Sequence, residues 1–224
     1  MSESPSVNKD RVLTCSVYCN GNKLGNEYTL VAATVHLELN RIGKATLKFN
    51  AGNMNKQTFD ESDADLFKPG NAIRLEVGDI EKENILFDGM IIGLRIITDK
   101  DFHSYMLVEC RDHAYSATQG RKNRIFEKKK DCDIIKEVLS AYGSVEVDST
   151  PYQYPTLVQY YCSDWDFALS RADANGLFIF TDGGKIKVKK PDVSTSPVLT
   201  VTYGVDLTTF DLELSADDQF TQYE

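Results

Sequence analysis

The sequence predicts a mainly β protein with an α+β part: an antiparallel β-barrel, then a small α+β domain, then the start of a second β-barrel. Three observations carry that expectation. Short runs rich in Val, Ile, Thr, Tyr and Phe recur up to Cys110, broken by Gly, Asn, Asp or Pro, with no helical period among them. Two later segments place apolar residues at helical spacing between start and stop signals. Beyond a Pro/Ser/Thr linker, Pro191 to Pro197, strand-like runs resume. The expected boundaries are residues 1–112 for the first barrel, 113–192 for the α+β domain, and 193–224 for the linker and the opening strands of a second, incomplete barrel.

A chain of 224 residues buries roughly 70% of its unfolded surface, so it builds a core without covalent staples. The net charge of −9 argues against a general nucleic-acid binder. The five cysteines, 15, 19, 110, 132 and 162, are odd in number and contain no CxxC pair, so neither a disulfide framework nor a zinc signature is read. Cys15 and Cys19 share a strand face, where thiols act as small hydrophobes. The first residues carry no apolar signal core, and no run approaches the ~20 apolar residues of a membrane span. Assembly in a reduced cytoplasm is expected, with no membrane insertion by this segment.

In chain order, Met1 to Asp10 is polar and expected to lack structure. Val12 to Cys19 alternates toward a turn at Asn20-Gly21-Asn22. Strands are then predicted at Tyr28–Leu39, Lys44–Asn50, Ala72–Val77, Ile85–Thr98 and His103–Cys110, a spacing that suits a small antiparallel barrel or sandwich. Gly89, in Phe87-Asp88-Gly89-Met90-Ile91, marks a bulge or a tight bend. Cys110-Arg111-Asp112-His113-Ala114 changes the pattern. Arg121 to Lys130 (RKNRIFEKKK) is basic around Ile125-Phe126 and reads as a solvated loop, or else as contact with an acidic partner. Asp131 or Asp133 caps the first helix, whose stripe is Ile134, Ile135, Val138, Leu139 and Tyr142 and whose end is Gly143. Ser144 to Pro155 is a loop.

Leu157 to Val188 organises the rest. A short apolar run to Tyr161 meets Ser163, an N-cap with Asp166 three residues on, while Cys162 and Phe167 suit a hydrophobic staple. Trp165, Ala168, Leu169 and Ala172 form the apolar face, and Asn175-Gly176 ends the helix. Leu177 to Phe180 is a buried strand, turned at Asp182-Gly183-Gly184 into the alternating Lys185 to Lys189. Val198–Tyr203 and Leu207–Leu214 are two further strands about Gly204-Val205-Asp206.

The run Gln159, Tyr160, Ser163, Asp164, Trp165, Asp166, Phe167, Arg171, Asn175, Gly176, Leu177 and Phe178 resembles the VgrG family, the spike hubs of type VI secretion systems, and the related baseplate hubs of contractile phage tails. The aromatic-x-Gly-apolar strand at Phe87, the helix DIIKEVL and the Tyr203-Gly204-x-Asp206-Leu207 segment are similar to the same family. The resemblance implies a structural hub in which three full-length copies form a ring, each giving two barrels, that joins a spike to a sixfold tail tube. Tail-tube and spike components would be its partners, and the machine would carry it out of the cell. The resemblance covers most of this chain but part of a family hub, so a fragment or an unusually short member is expected. This length is then expected to be monomeric or weakly associated in dilute solution. A phage or prophage tail baseplate hub is the nearest alternative, and a hydrolytic effector or cell-wall enzyme the second.

The residues themselves call for no catalytic, cofactor or metal site. His36, His103 and His113 lie far apart. Asp60 to Asp65 lacks the glycine and distal glutamate of a calcium loop. Asp164 and Asp166 are read as first-turn acids answering the helix dipole.

Overall fold

The computed structural model describes residues 13–52, 58–59, 65–79, 82–100, 103–192, 194, 196–197, 199–204, 207 and 209–213. Met1 to Asp10 and most of the acidic loop, Asp60 to Ala64, lie outside them. Leu13–Pro191 form one compact unit, and the two ends of the chain belong to another.

The first part is one antiparallel sheet of seven strands: β1 (Leu13–Cys19), β2 (Asn22–Lys23), β3 (Leu30–His36), β4 (Lys44–Asn50), β5 (Ala72–Asp79), β6 (Glu83–Thr98) and β7 (Ser104–Asp112). Their order is β2-β1-β5-β6-β7-β4-β3. One face supplies nearly the whole core: Leu47, Phe49, Ile73, Leu75, Ile91, Met106 and Val108 are buried against one another. Among the described residues, that face is otherwise packed by loop and turn residues such as Tyr28 and Phe67.

Among the described residues no pairing joins β2 to β3, so the predominantly antiparallel β part is present but its closure into a barrel is not formed by strand pairing. The reason is the shortness of β2, which pairs only Tyr18 with Lys23 and Cys19 with Asn22. Leu24 N–H still reaches the Val17 carbonyl at 2.8 Å, and beyond it Thr14, Cys15 and Ser16 border an open cleft shared with the Lys23–Leu30 segment. Cys15 borders this cleft and is exposed, contrary to the expectation of a buried thiol, whereas Cys19 and Cys110 are buried. Burial pushes the Cys110 thiol up to about 12. Gly89 lies in regular ladder, and the register shifts instead at Ile91/Gly93. Glycine is required at 89 by close approach: a Cβ there would stand 2.1 Å from the Arg111 carbonyl oxygen.

The α+β part follows in the same unit. It contains β8 (Lys122–Lys130), α1 (Asp131–Leu139), β9 (Ser144–Val147), β10 (Gln153–Cys162), α2 (Asp164–Asp173), β11 (Phe178–Asp182) and β12 (Lys185–Lys189). β8 and β10 make a two-stranded antiparallel ribbon, and β11-β12-β9 a three-stranded sheet in which β12 and β9 run parallel. Two expectations are corrected here. Within Arg121 to Lys130, Lys122–Lys130 is a strand rather than a solvated loop, because β10 pairs with it from Gln153 to Cys162. Ser144 to Pro155 holds β9, drawn into order by the hairpin β11–β12.

The α2 start matches its reading: Ser163 Oγ accepts from the Asp166 N–H at 3.1 Å and donates to Asp166 Oδ2 at 2.6 Å. Its end has Gly176 at φ 64° and Leu177 N–H on the Ala172 carbonyl at 2.9 Å. Trp165, Ala168 and Ala172 pack with Ile135, Leu139, Ile179 and Val188 in a second core. The start of α1 differs. Lys130 holds the cap position without a side-chain bond, and Thr150 Oγ1 accepts from the Cys132 N–H at 3.0 Å. Beyond Pro191 the described residues hold no strand. Tyr203 and Leu207 form one isolated bridge about Gly204, where two strands were expected; Val198, Val205, Asp206, Thr208 and Leu214 lie outside the described residues.

Candidate functional site

Two carboxylates at the helix starts are the most buried charges of the α+β part. Asp131, in the first turn of α1, receives Arg171 Nε at 2.6 Å and Arg171 Nη2 at 2.9 Å. Asn175 Nδ2 adds a third bond at 2.8 Å, and Arg171 also reaches Tyr154 Oη at 2.7 Å. Burial alone would raise this carboxyl; the Arg171 and Asn175 bonds outweigh it and hold Asp131 below the usual carboxylate range. The bidentate fork ties the start of α1 to the end of α2.

Asp164 opens α2 and is fully buried. It receives Lys122 Nζ at 2.7 Å, Tyr142 Oη at 2.7 Å and Gln159 Nε2 at 2.9 Å, with Arg124 Nη2 at 3.4 Å. Burial again opposes ionisation, and the Gln159 and Lys122 bonds overcome it to hold Asp164 low. Both acids stand in the first turn of α2, as expected; Asp166 bonds the Ser163 cap, and Asp164 in addition anchors β8 and β10 on the helices. Sequence reasoning missed both clusters, because Asp131 and Arg171 stand 40 positions apart. The one available signal was an acid and a base on facing helices.

With these anchors and the Phe126–Phe167 stack (centroids 5.7 Å apart), the ribbon rests one face on the helices. Its outer face carries Ile125 and Val158, directly paired across the strands, and Tyr160, which is 80% exposed. Next to them the register shifts between Gln159 and Cys162, and Tyr161 takes φ 46°. A bulky residue rarely adopts that conformation. Asn123 Oδ1 holds it by accepting from the Tyr161 N–H at 2.9 Å. The Arg121 guanidinium lies 4.9 Å from the Tyr161 ring centre. Alternation would have sent Tyr161 inward after Gln159; the irregularity leaves it 61% exposed beside Tyr160.

The histidines do not meet. His113 reaches Asp88 at 3.5 Å, His103 reaches Asp99 at 3.5 Å, and His36 is exposed. Among the described residues no three His, Cys, Asp or Glu side chains group as metal ligands, and Asp65 pairs with Lys68 at 2.5 Å. Among the described residues no helix is long and apolar enough to cross a membrane.

A family model described as the Alg8 N-terminal domain matches residues 9–224. No curated protein matches the sequence. Among solved structures, the chain is similar to a tail protein from Neisseria meningitidis MC58, with a TM-score of 0.67 and 14% identity over 93% of this chain and 61% of that one. It is similar to the 43 kDa tail protein of prophage MuSo2 from Shewanella oneidensis (TM-score 0.62, 13% identity, 79% and 53% covered). A third is an E. coli component of the type VI secretion system, itself described as similar to the T4 tail proteins gp27 and gp5 (TM-score 0.56, 14% identity, 77% and 48% covered). The chain thus spans about half to three fifths of the length of these proteins. At these identities the likeness is one of fold.

Proposed function

The chain belongs to the Alg8 N-terminal domain family, and from that premise we propose that it is a structural hub or adaptor of a contractile injection machine, similar to VgrG, rather than an enzyme. The observation that supports it is the fold shared over 93% of the chain with a tail protein and over 77% with a type VI secretion component. The buried acids agree with that reading. Asp131 and Asp164 are consumed by bonds between helices and ribbon, with no carboxylate left aimed into a pocket by either cluster.

In this reading three copies form a ring between a spike and a sixfold tube, assembled in the cytoplasm and carried outward by the machine. The division into a first sheet (1–112), an α+β domain (113–192) and the opening of a second β domain (193–224) belongs to the same proposal. A phage or prophage tail baseplate hub is the second reading, favoured by the two tail-protein likenesses. It differs in the particle joined, not in the physics.

The test is immunogold labelling of particles purified from cells that express a tagged chain. Label confined to the baseplate end, at about three copies per particle, supports the hub, since closed rotational symmetry is the usual outcome for such subunits. Label spread along the tube, or absent from particles, overturns it.

A further inference from the structure

We infer that two surfaces of this chain, the outer face of the β8–β10 ribbon and the outer face of α2, are complementary halves of a head-to-tail contact between copies. Arg121 to Lys130 carries net +5, which leaves −14 for the rest of a chain whose total is −9. Lys122 and Arg124 are turned inward to Asp164, and Lys129 pairs with Glu137. Arg121, beside the Tyr161 ring, and Lys128 and Lys130, farther along β8 past Ile125, take no part in those pairs and are exposed. An apolar and aromatic centre with a cationic rim is the make-up of a protein contact surface, whose anchors are most often Tyr and Arg.

The strain at Tyr161 points the same way. Left-handed backbone at such a residue is strained and persists where the surroundings over-determine it. Here the result is two adjacent tyrosines presented outward instead of one. Nothing in the α+β core uses the Tyr161 ring, which lies under Arg121.

The acidic half is on the same molecule. Asp166, Leu169, Ser170 and Asp173 line an open hollow of about 360 Å³ with Asn40 at its edge. Asp166 and Asp173 are exposed, and half-buried Leu169 gives the hollow an apolar floor. At 100° per residue these positions share one side of α2, turned away from Phe167, which faces the ribbon. The two halves therefore point in different directions and cannot satisfy each other within one copy. Two unlike, complementary patches on one subunit make a heterologous contact, which closes into a ring or propagates. A nucleic acid would meet the cationic rim but is repelled by the remaining −14, so a second copy is the occupant argued for. The inference rests on the hub reading only in that copies of the chain meet.

The experiment is sedimentation equilibrium of the 224-residue chain at low ionic strength and up to millimolar concentration, with charge-reversed variants. Wild type is expected to self-associate, and to lose the association at about 1 M salt, where screening falls to ~3 Å. Lys128→Glu with Lys130→Glu, and separately Ser170→Lys with Asp173→Lys, should each weaken association about tenfold or more. Mixing the two variants should restore it, since each then offers the other an opposite charge. Tyr161→Gly should raise thermal stability by relieving the backbone and still abolish association; a merely structural Tyr161 would not split the two. A wild type that stays monomeric throughout overturns the inference, as does a variant mixture that fails to recover. If the wild type associates while the mixture does not recover, this contact is wrong and the hub reading stands, to be judged by particle labelling.

Discussion

Asn40 and Ile179 exchange two hydrogen bonds across 139 positions of chain: Asn40 N–H donates to the Ile179 carbonyl at 2.7 Å, and Ile179 N–H to Asn40 Oδ1 at 2.9 Å. Asn40 lies between β3 and β4 and Ile179 lies in β11, so one loop residue occupies the free edge of the three-stranded sheet. Asn40 takes φ 60°, a conformation asparagine tolerates. Asn40→Ala should cost about 1–3 kcal/mol, combining a buried N–H left unpaired with left-handed strain. Asn40→Gly should recover the conformational part alone. Chemical denaturation of the two variants checks the difference.

Trp165 is 5% exposed among Ala168, Ala172, Ile135 and Leu177. Trp165→Ala should destabilise by about 3–5 kcal/mol. As the only tryptophan it reports its own site: emission should be blue-shifted and resist quenching by iodide. Red-shifted, freely quenched emission in the native protein contradicts the packing.

Arg171→Met removes both bonds to a carboxylate that is 1% exposed and leaves it charged in the interior. Such a loss costs roughly 3–5 kcal/mol. The pH dependence has a definite sign. Asp131 and Asp164 titrate below their unfolded value of about 3.9. Their contribution is therefore present above about pH 4 and lost as pH falls through the folded values. Urea midpoints between pH 5 and pH 2 should fall steeply in wild type and less steeply in Arg171→Met.

His113 shows the opposite sign. Its bond to Asp88 raises its pKa against a smaller opposing effect of burial. The stability it adds is complete below about pH 6.5, the unfolded value, and is lost as pH rises through the folded one. NMR titration of the imidazole should give a midpoint above that value, returning toward it in Asp88→Asn. An unshifted midpoint in wild type removes the pair from the account.

The purified chain is expected to hold no stoichiometric zinc after dialysis against a weak chelator, since His36, His103 and His113 have separate surroundings. Elemental analysis decides it, and retained zinc at one per chain would refute the expectation.

What the sequence determined by itself is local in origin. Alternation set β4 at Lys44–Asn50, and Ser163 with Asp166 set the start of α2, because each depends on neighbours within a few residues. The apolar spacing 165, 168, 172 likewise marked the buried side of α2. Tertiary structure decided the rest. Lys122–Lys130 has too few apolar residues to declare a strand; β10 makes it one by pairing and Asp164 by drawing in Lys122 and Arg124. Thr150 replaced the expected acidic cap of α1 because Asp131 was taken by Arg171. Among the described residues no pairing closes the barrel, because pairing at an edge depends on two distant strands lying together, and β2 offers only two residues to that edge. Tyr161 reached the surface through a register shift that no period in the sequence encodes, since its cause is the fit of β10 against β8.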